Sequence, residues 1–106
     1  MLLRAGGEVE RMEGTATVLG LFEQWECEVG QRHLFPGDVL AIYTDGVTES
    51  AGAGGEEYGE TRLLRALEVN RSRCARELMD AVIADVQQFS VGEQADDLTL
   101  VIARVL

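Results

Sequence analysis

Leu34-Phe35-Pro36-Gly37-Asp38-Val39-Leu40-Ala41-Ile42-Tyr43-Thr44-Asp45-Gly46-Val47-Thr48-Glu49 is the stretch that decides how this chain folds. Pro36-Gly37 makes a turn, and Asp38 leads into five consecutive apolar residues, 39–43. A short apolar run between turn signals reads as a strand buried on both faces, in the middle of a layered structure. At its end stands Thr44-Asp45-Gly46. A second acidic motif, Asp96-Asp97-Leu98-Thr99, opens another apolar run over 98–102. A carboxylate at the tip of a buried strand is held at the edge of the core. Two such tips, distant in sequence, can converge on one hard divalent cation such as Mg²⁺ or Mn²⁺, which takes oxygen donors. Plainer readings stand beside this one: Asp-Gly is a common turn dipeptide, and Asp96-Asp97 also suits a polar strand entrance. Neighbouring strand side chains point to opposite faces, so only one of Asp96 and Asp97 can serve the site, and the residues alone leave open which.

The rest of the chain sets the frame for these strands. Its 106 residues suit one small domain with little core to spare. Nine basic residues, all arginine, stand against nineteen acidic ones, a net charge of −10. That balance argues against nucleic acid and anionic membrane, which both need basic surface. No apolar stretch is long enough for a membrane span and no signal-peptide layout opens the chain, so the expected location is the cytoplasm. Cys27 and Cys74 lack metal-ligand or redox spacing and read as buried free thiols of a reducing compartment.

Gly6-Gly7 between Leu2-Leu3-Arg4-Ala5 and Glu8-Val9-Glu10-Arg11-Met12 signals a two-residue hairpin. Residues 13–26 are looser and carry Phe22 and Trp25, an exposed or docking pair, and 27–33 suggest a strand with one wet face. Ala51-Gly52-Ala53-Gly54-Gly55 offers almost no side chain to pack and reads as a mobile loop. Gly59 opens a helix to about Val69, with Tyr58 and Leu63 as a hydrophobic staple. A second helix runs from about Cys74 to Phe89, its stripe Ala75, Leu78, Met79, Val82, Ile83, Val86 and Phe89 at helical spacing. A last strand spans Leu98 to about Val105. Helices segregated from antiparallel strands indicate an α+β layered fold. His33 has no acidic or cysteine neighbour at ligand spacing and reads as a surface residue. Ser50, Ser72 and Ser90 stand in no nucleophile context, and the glycine loop lacks the Lys-Ser/Thr of a phosphate cradle.

Taken together and in order, these segments resemble the SpoIIE-type bacterial phosphatases, a branch of the metal-dependent protein phosphatase 2C superfamily. The Pro-Gly-Asp turn, Tyr43-Thr44-Asp45-Gly46-Val47-Thr48-Glu49, Tyr58-Gly59 opening a helix, the amphipathic helix to Phe89 and Asp96-Asp97-Leu98-Thr99 carry the resemblance. Upstream, Leu2-Leu3-Arg4 through Leu19-Gly20-Leu21 is also similar to the family's hairpin and its Leu-Gly segment. The resemblance covers nearly the whole chain, residues 1–106, as the C-terminal portion of such a domain. It implies part of an α-β-β-α sandwich of two antiparallel sheets flanked by helix pairs. It also implies a two-metal Mn²⁺ or Mg²⁺ site, and hydrolysis of phosphoserine or phosphothreonine by a metal-activated water. Matched by position, Asp45 and Asp96 are the implied metal ligands. Gly46 and Asp97 lie close behind them, Asp97 in a structural role.

One part of the family pattern is absent: the Asp-x-x-Gly-His-Gly type segment that carries the metal-bridging aspartate. Met1 falls inside a family strand. The expectation is therefore an incomplete site, with weak metal affinity and negligible turnover for this chain alone. By the resemblance, the substrate is a phosphorylated regulatory protein of the anti-sigma-factor-antagonist type. Unpaired strand edges add an expectation of self-association. The alternative is a non-catalytic binding or regulatory module that keeps the fold segment.

Overall fold

A computed structural model describes residues 1–92 and 97–106. Two short strands, β1 (Leu2–Leu3) and β2 (Val9–Glu10), are followed by β3 (Val39–Tyr43) and a one-turn helix α1 (Asp45–Thr48). Helices α2 (Gly59–Asn70) and α3 (Ala75–Phe89) come next, and β4 (Leu100–Arg104) closes the order. The strands form one antiparallel sheet, β2-β1-β3-β4. Strands gathered in one sheet with helices apart from them make the α+β fold that the order of segments predicts.

Alternation along β3 shows which face holds the core. Val39 and Ala41 are buried and join Leu3, the α1 residue Val47, and Leu63, Leu67, Leu78, Val82 and Val86 of the helices in one cluster. The stripe predicted for α3 is thus the face laid on the sheet, with Leu78, Val82 and Val86 at its centre. Tyr58 and Leu63, the predicted staple, are both buried there. Gly59 starts α2 at φ 74°, a left-handed conformation that a side chain would resist.

Five expectations need correction. Burial of β3 on both faces fails: Ile42 is 57 % exposed, and its cross-strand partner Val101 is 51 % exposed. Among the described residues the helices cover one face only. The first hairpin turns through three residues rather than two. Arg4 N donates to Glu8 O at 2.8 Å and Gly7 N to Arg4 O at 2.9 Å, with Gly7 at φ 97°. Residues 27–33 form no strand, because no neighbouring strand pairs with them. The glycine segment is a closed turn: Gly52 N bonds Glu56 O, Ala51 bridges Glu57, and buried Gly52 lies against Phe89. Cys27 and Cys74 are both exposed, Cys74 at the start of α3. No helix among the described residues is long and apolar enough to cross a membrane.

A carboxylate that sequence reading passed over ties the hairpin to the sheet. Asp38 is buried and accepts from Ala5 N at 2.8 Å, Phe35 N at 2.9 Å and Arg4 Nη1 at 2.9 Å. The amides of Phe35 and Ala5, with the Arg4 guanidinium behind them, hold its carboxyl below the usual carboxylate range despite burial. The aspartate of Pro36-Gly37-Asp38 is thus a structural clamp: it satisfies two loop amides that a buried turn would otherwise orphan.

Candidate metal centre

Thr44-Asp45-Gly46 and the described residues of the second motif, 97–99, meet at one end of the sheet because β3 and β4 are antiparallel neighbours. Their ladder ends at Tyr43 opposite Leu100. One residue further, Thr44 N donates to Thr99 O at 3.1 Å and Thr99 N donates to Thr44 Oγ1 at 3.2 Å. The C-terminal tip of one strand and the N-terminal approach to the other are thereby stitched together. Thr44, in extended conformation, precedes α1, and Asp45 is the first helical residue.

Three contacts hold that tip in place. Val47, fully buried, anchors α1 in the core. Ser50, 7 % exposed, donates its hydroxyl to Gly46 O at 2.8 Å, the backward bond a serine makes four residues along a helix. Gly46 lies so close to the second motif that a Cβ there would sit 2.1 Å from Asp97 O and 2.9 Å from Asp97 C. Only a residue without a side chain permits that approach. Asp45 and Asp97 are both exposed at this junction. Asp96, the other predicted ligand, lies outside the described residues.

Carboxylate and carbonyl oxygens are the donors that Mg²⁺ and Mn²⁺ prefer, so the chemistry of this corner fits a hard cation. The fit is partial: no group of three or more His, Cys, Asp or Glu is arranged to hold a metal among the described residues. His33 stands apart from the corner. Its carbonyl accepts from Arg4 Nη1 at 2.6 Å, and its ring tilts against Phe35 at 5.2 Å between centroids.

Sequence reading missed Thr44, Ser50 and Thr99 as the pieces that position the tip. The Ser50 bond had a legible signal, the four-residue spacing from Gly46. The Thr44–Thr99 exchange had none without the strand pairing. Tyr43, the last β3 residue, is a further neighbour, its hydroxyl donating to Glu60 Oε1 at 2.6 Å. Partial burial, with Glu60 beside it, pushes the Tyr43 phenol up to about 12. The Tyr43 hydroxyl and Arg11, at 2.8 Å, hold the Glu60 carboxyl below its usual range.

The family profile described as Stage II sporulation protein E (SpoIIE) matches residues 1–106. Protein IcfG of Synechocystis is 28 % identical over 101 residues, 94 % of this chain and 16 % of the relative. Stage II sporulation protein E of Bacillus subtilis is 23 % identical over 103 residues, covering 97 % of this chain and 12 % of its own length. The protein of the same name from Priestia megaterium is 25 % identical, with 97 % and 17 % covered. The chain thus spans less than a fifth of the length of these curated relatives. No solved structure gives a significant match.

Proposed function

Since the chain belongs to the SpoIIE family, we propose that it is the C-terminal part of a protein phosphatase 2C-like domain that removes phosphate from phosphoserine or phosphothreonine. The observation that carries this reading is the junction of the two acidic motifs, with Gly46 pressed on Asp97 and Thr44 exchanging hydrogen bonds with Thr99. In this reading Asp45 and Asp96 offer carboxylate oxygens to Mn²⁺ or Mg²⁺, and the Thr44 and Ser50 bonds fix where Asp45 stands. When bound, such an ion lowers the pKa of a coordinated water and neutralises phosphoryl charge. Two carboxylates leave most coordination positions to water, so affinity in this chain alone is weak and turnover needs the ligands of another segment. The proposed substrate is a phosphorylated regulatory protein of the anti-sigma-factor-antagonist type, acted on in the cytoplasm.

The open sheet face at Ile42 and Val101 and the outer edge of β4, unpaired among the described residues, support association with a further layer, from elsewhere in the protein or from a second copy. A second reading is a binding or regulatory module that keeps this fold without the chemistry. Mn²⁺-dependent hydrolysis of a phosphoserine peptide by the protein containing this chain separates the two. Under the enzyme reading Asp45→Asn lowers the rate at least about 100-fold, and the chain by itself shows no turnover. A rate indifferent to Asp45→Asn leaves the module.

A further inference from the structure

Between α2 and α3, away from the acidic corner, lies a groove of about 580 Å³. Small residues open it, Ala66 on one helix and Ala81 on the other, and Val69, 73 % exposed, forms an apolar lip. Arg62 is held rigidly on its wall. Its Nη1 donates to Glu57 O at 2.9 Å and Tyr58 O at 3.0 Å, and the guanidinium lies 4.4 Å above the Phe89 ring centroid. Its Nε and Nη2 edge has no protein partner among the described residues. Arg65, three residues on and in the same groove, is exposed and has no ion pair or hydrogen bond among the described residues. The carboxylate in the groove, Asp85, accepts from the Tyr58 hydroxyl.

Arg62 and Arg65 line the same groove, and neither guanidinium has an ion pair among the described residues. A guanidinium immobilised on one side and free on the other is pre-organised for the planar, two-oxygen face of a carboxylate. The volume points beyond a single ion. It lies within the roughly 300–1,000 Å³ of sites that take organic ligands, so an inorganic anion would leave the apolar lip uncovered. Nucleic acid would need a far more extended basic surface.

We propose that the α2–α3 groove docks an acidic segment of a partner protein, its carboxylates pairing with the free edge of Arg62 and with Arg65. An adjoining leucine-like side chain would cover Ala66, Val69 and Ala81. This inference is independent of phosphoester hydrolysis.

The test is amide chemical-shift mapping of the ¹⁵N-labelled protein titrated with a capped hexapeptide of alternating glutamate and leucine. Saturable shifts confined to α2 and α3 are expected. Binding should weaken about fivefold with the glutamine counterpart of the peptide and in Arg65→Gln, and recover in Arg65→Lys. Arg62 braces the start of α2, so Arg65 is the variant that leaves the fold intact. The absence of saturable shifts up to about 5 mM peptide, or equal binding of the glutamine peptide, overturns the proposal. So do the same shifts with inorganic phosphate alone, which make the groove a small-oxyanion site. Concentration-dependent shifts of these amides without peptide assign the groove to a second copy, and overturn it as well.

Discussion

Gly46→Ala tests whether the two acidic motifs meet as closely as described. The added Cβ would stand 2.1 Å from Asp97 O and 3.3 Å from Leu98 Cα, whereas Cβ atoms essentially never approach within 3.0 Å. Both neighbours are backbone, so no side-chain rotation relieves the contact, and the motifs must separate by about 1 Å. Two effects compete. Alanine in a helix is favoured over glycine by up to about 1 kcal/mol, and Gly46, in α1, has no left-handed φ to forfeit. Overpacking against fixed backbone costs about 1–3 kcal/mol, and the Thr44–Thr99 bonds beside the clash are strained with it. The clash wins. Thermal unfolding of the variant should therefore fall by about 5–10 °C for a domain of this size. Gly14→Ala, whose added Cβ meets nothing within 4 Å, should leave it unchanged. An unaltered or raised melting temperature for Gly46→Ala would refute the close approach, and with it the convergence of the acidic tips.

Asp38 contributes pH-dependent stability of known sign. Its folded pKa is depressed, so its stabilisation is present above the unfolded value near 4 and is lost as pH falls through the folded value. Asp38→Asn should lower the urea midpoint at pH 7 and flatten its dependence below about pH 5; an unchanged midpoint would count against the clamp. Tyr43 works at the other extreme. Its folded pKa near 12 favours the native state below the unfolded value of about 10, and that stabilisation disappears as pH rises between the two. Ultraviolet titration should show one phenol ionising near pH 12, moving down in Glu60→Gln, and a normal titration would remove Glu60 from the account. Cys27 and Cys74, both exposed, should react with a thiol reagent in the native protein as readily as in urea; protection of either would contradict its placement.

Much of this fold was legible, and the failures share a cause. The α3 stripe and the burial of Tyr58 and Leu63 depend on local periodicity, which survives without knowledge of the partners. What failed depends on pairing. Residues 27–33 mix polar and apolar positions as a half-wet strand does, but that mixture supplies only a candidate face, and no strand among the described residues pairs with them. The glycine segment looked free because it has no side chains, yet its backbone closes on Glu56 and Val91. In the acidic corner, Asp45 and Gly46 were readable as a pair. The hydroxyl of Thr44 and the buried Ser50 act on backbone groups that only the β3–β4 pairing and the α1 turn bring within reach.

The failed expectation of two-sided burial in β3 is itself informative. The composition of residues 39–43 asks for an apolar neighbour on each face, and the structure supplies helices on one. On the other face, Leu2 is buried beside Leu40, but toward β4 the surface opens over Ile42 and Val101. A sequence that keeps isoleucine and valine on a wet face of adjacent strands forgoes the usual polar-out alternation of a one-sided sheet. At the same end, the described residues of the acidic corner offer oxygen donors but no group of three or more ligands. One covering layer packed on Ile42 and Val101 would reach the same end of the sheet as Asp45, since Ile42 is only three residues from it. If the proposed function holds, burial of that face and completion of the proposed cation site would then be a single event, coupling metal affinity to the docking of the second layer.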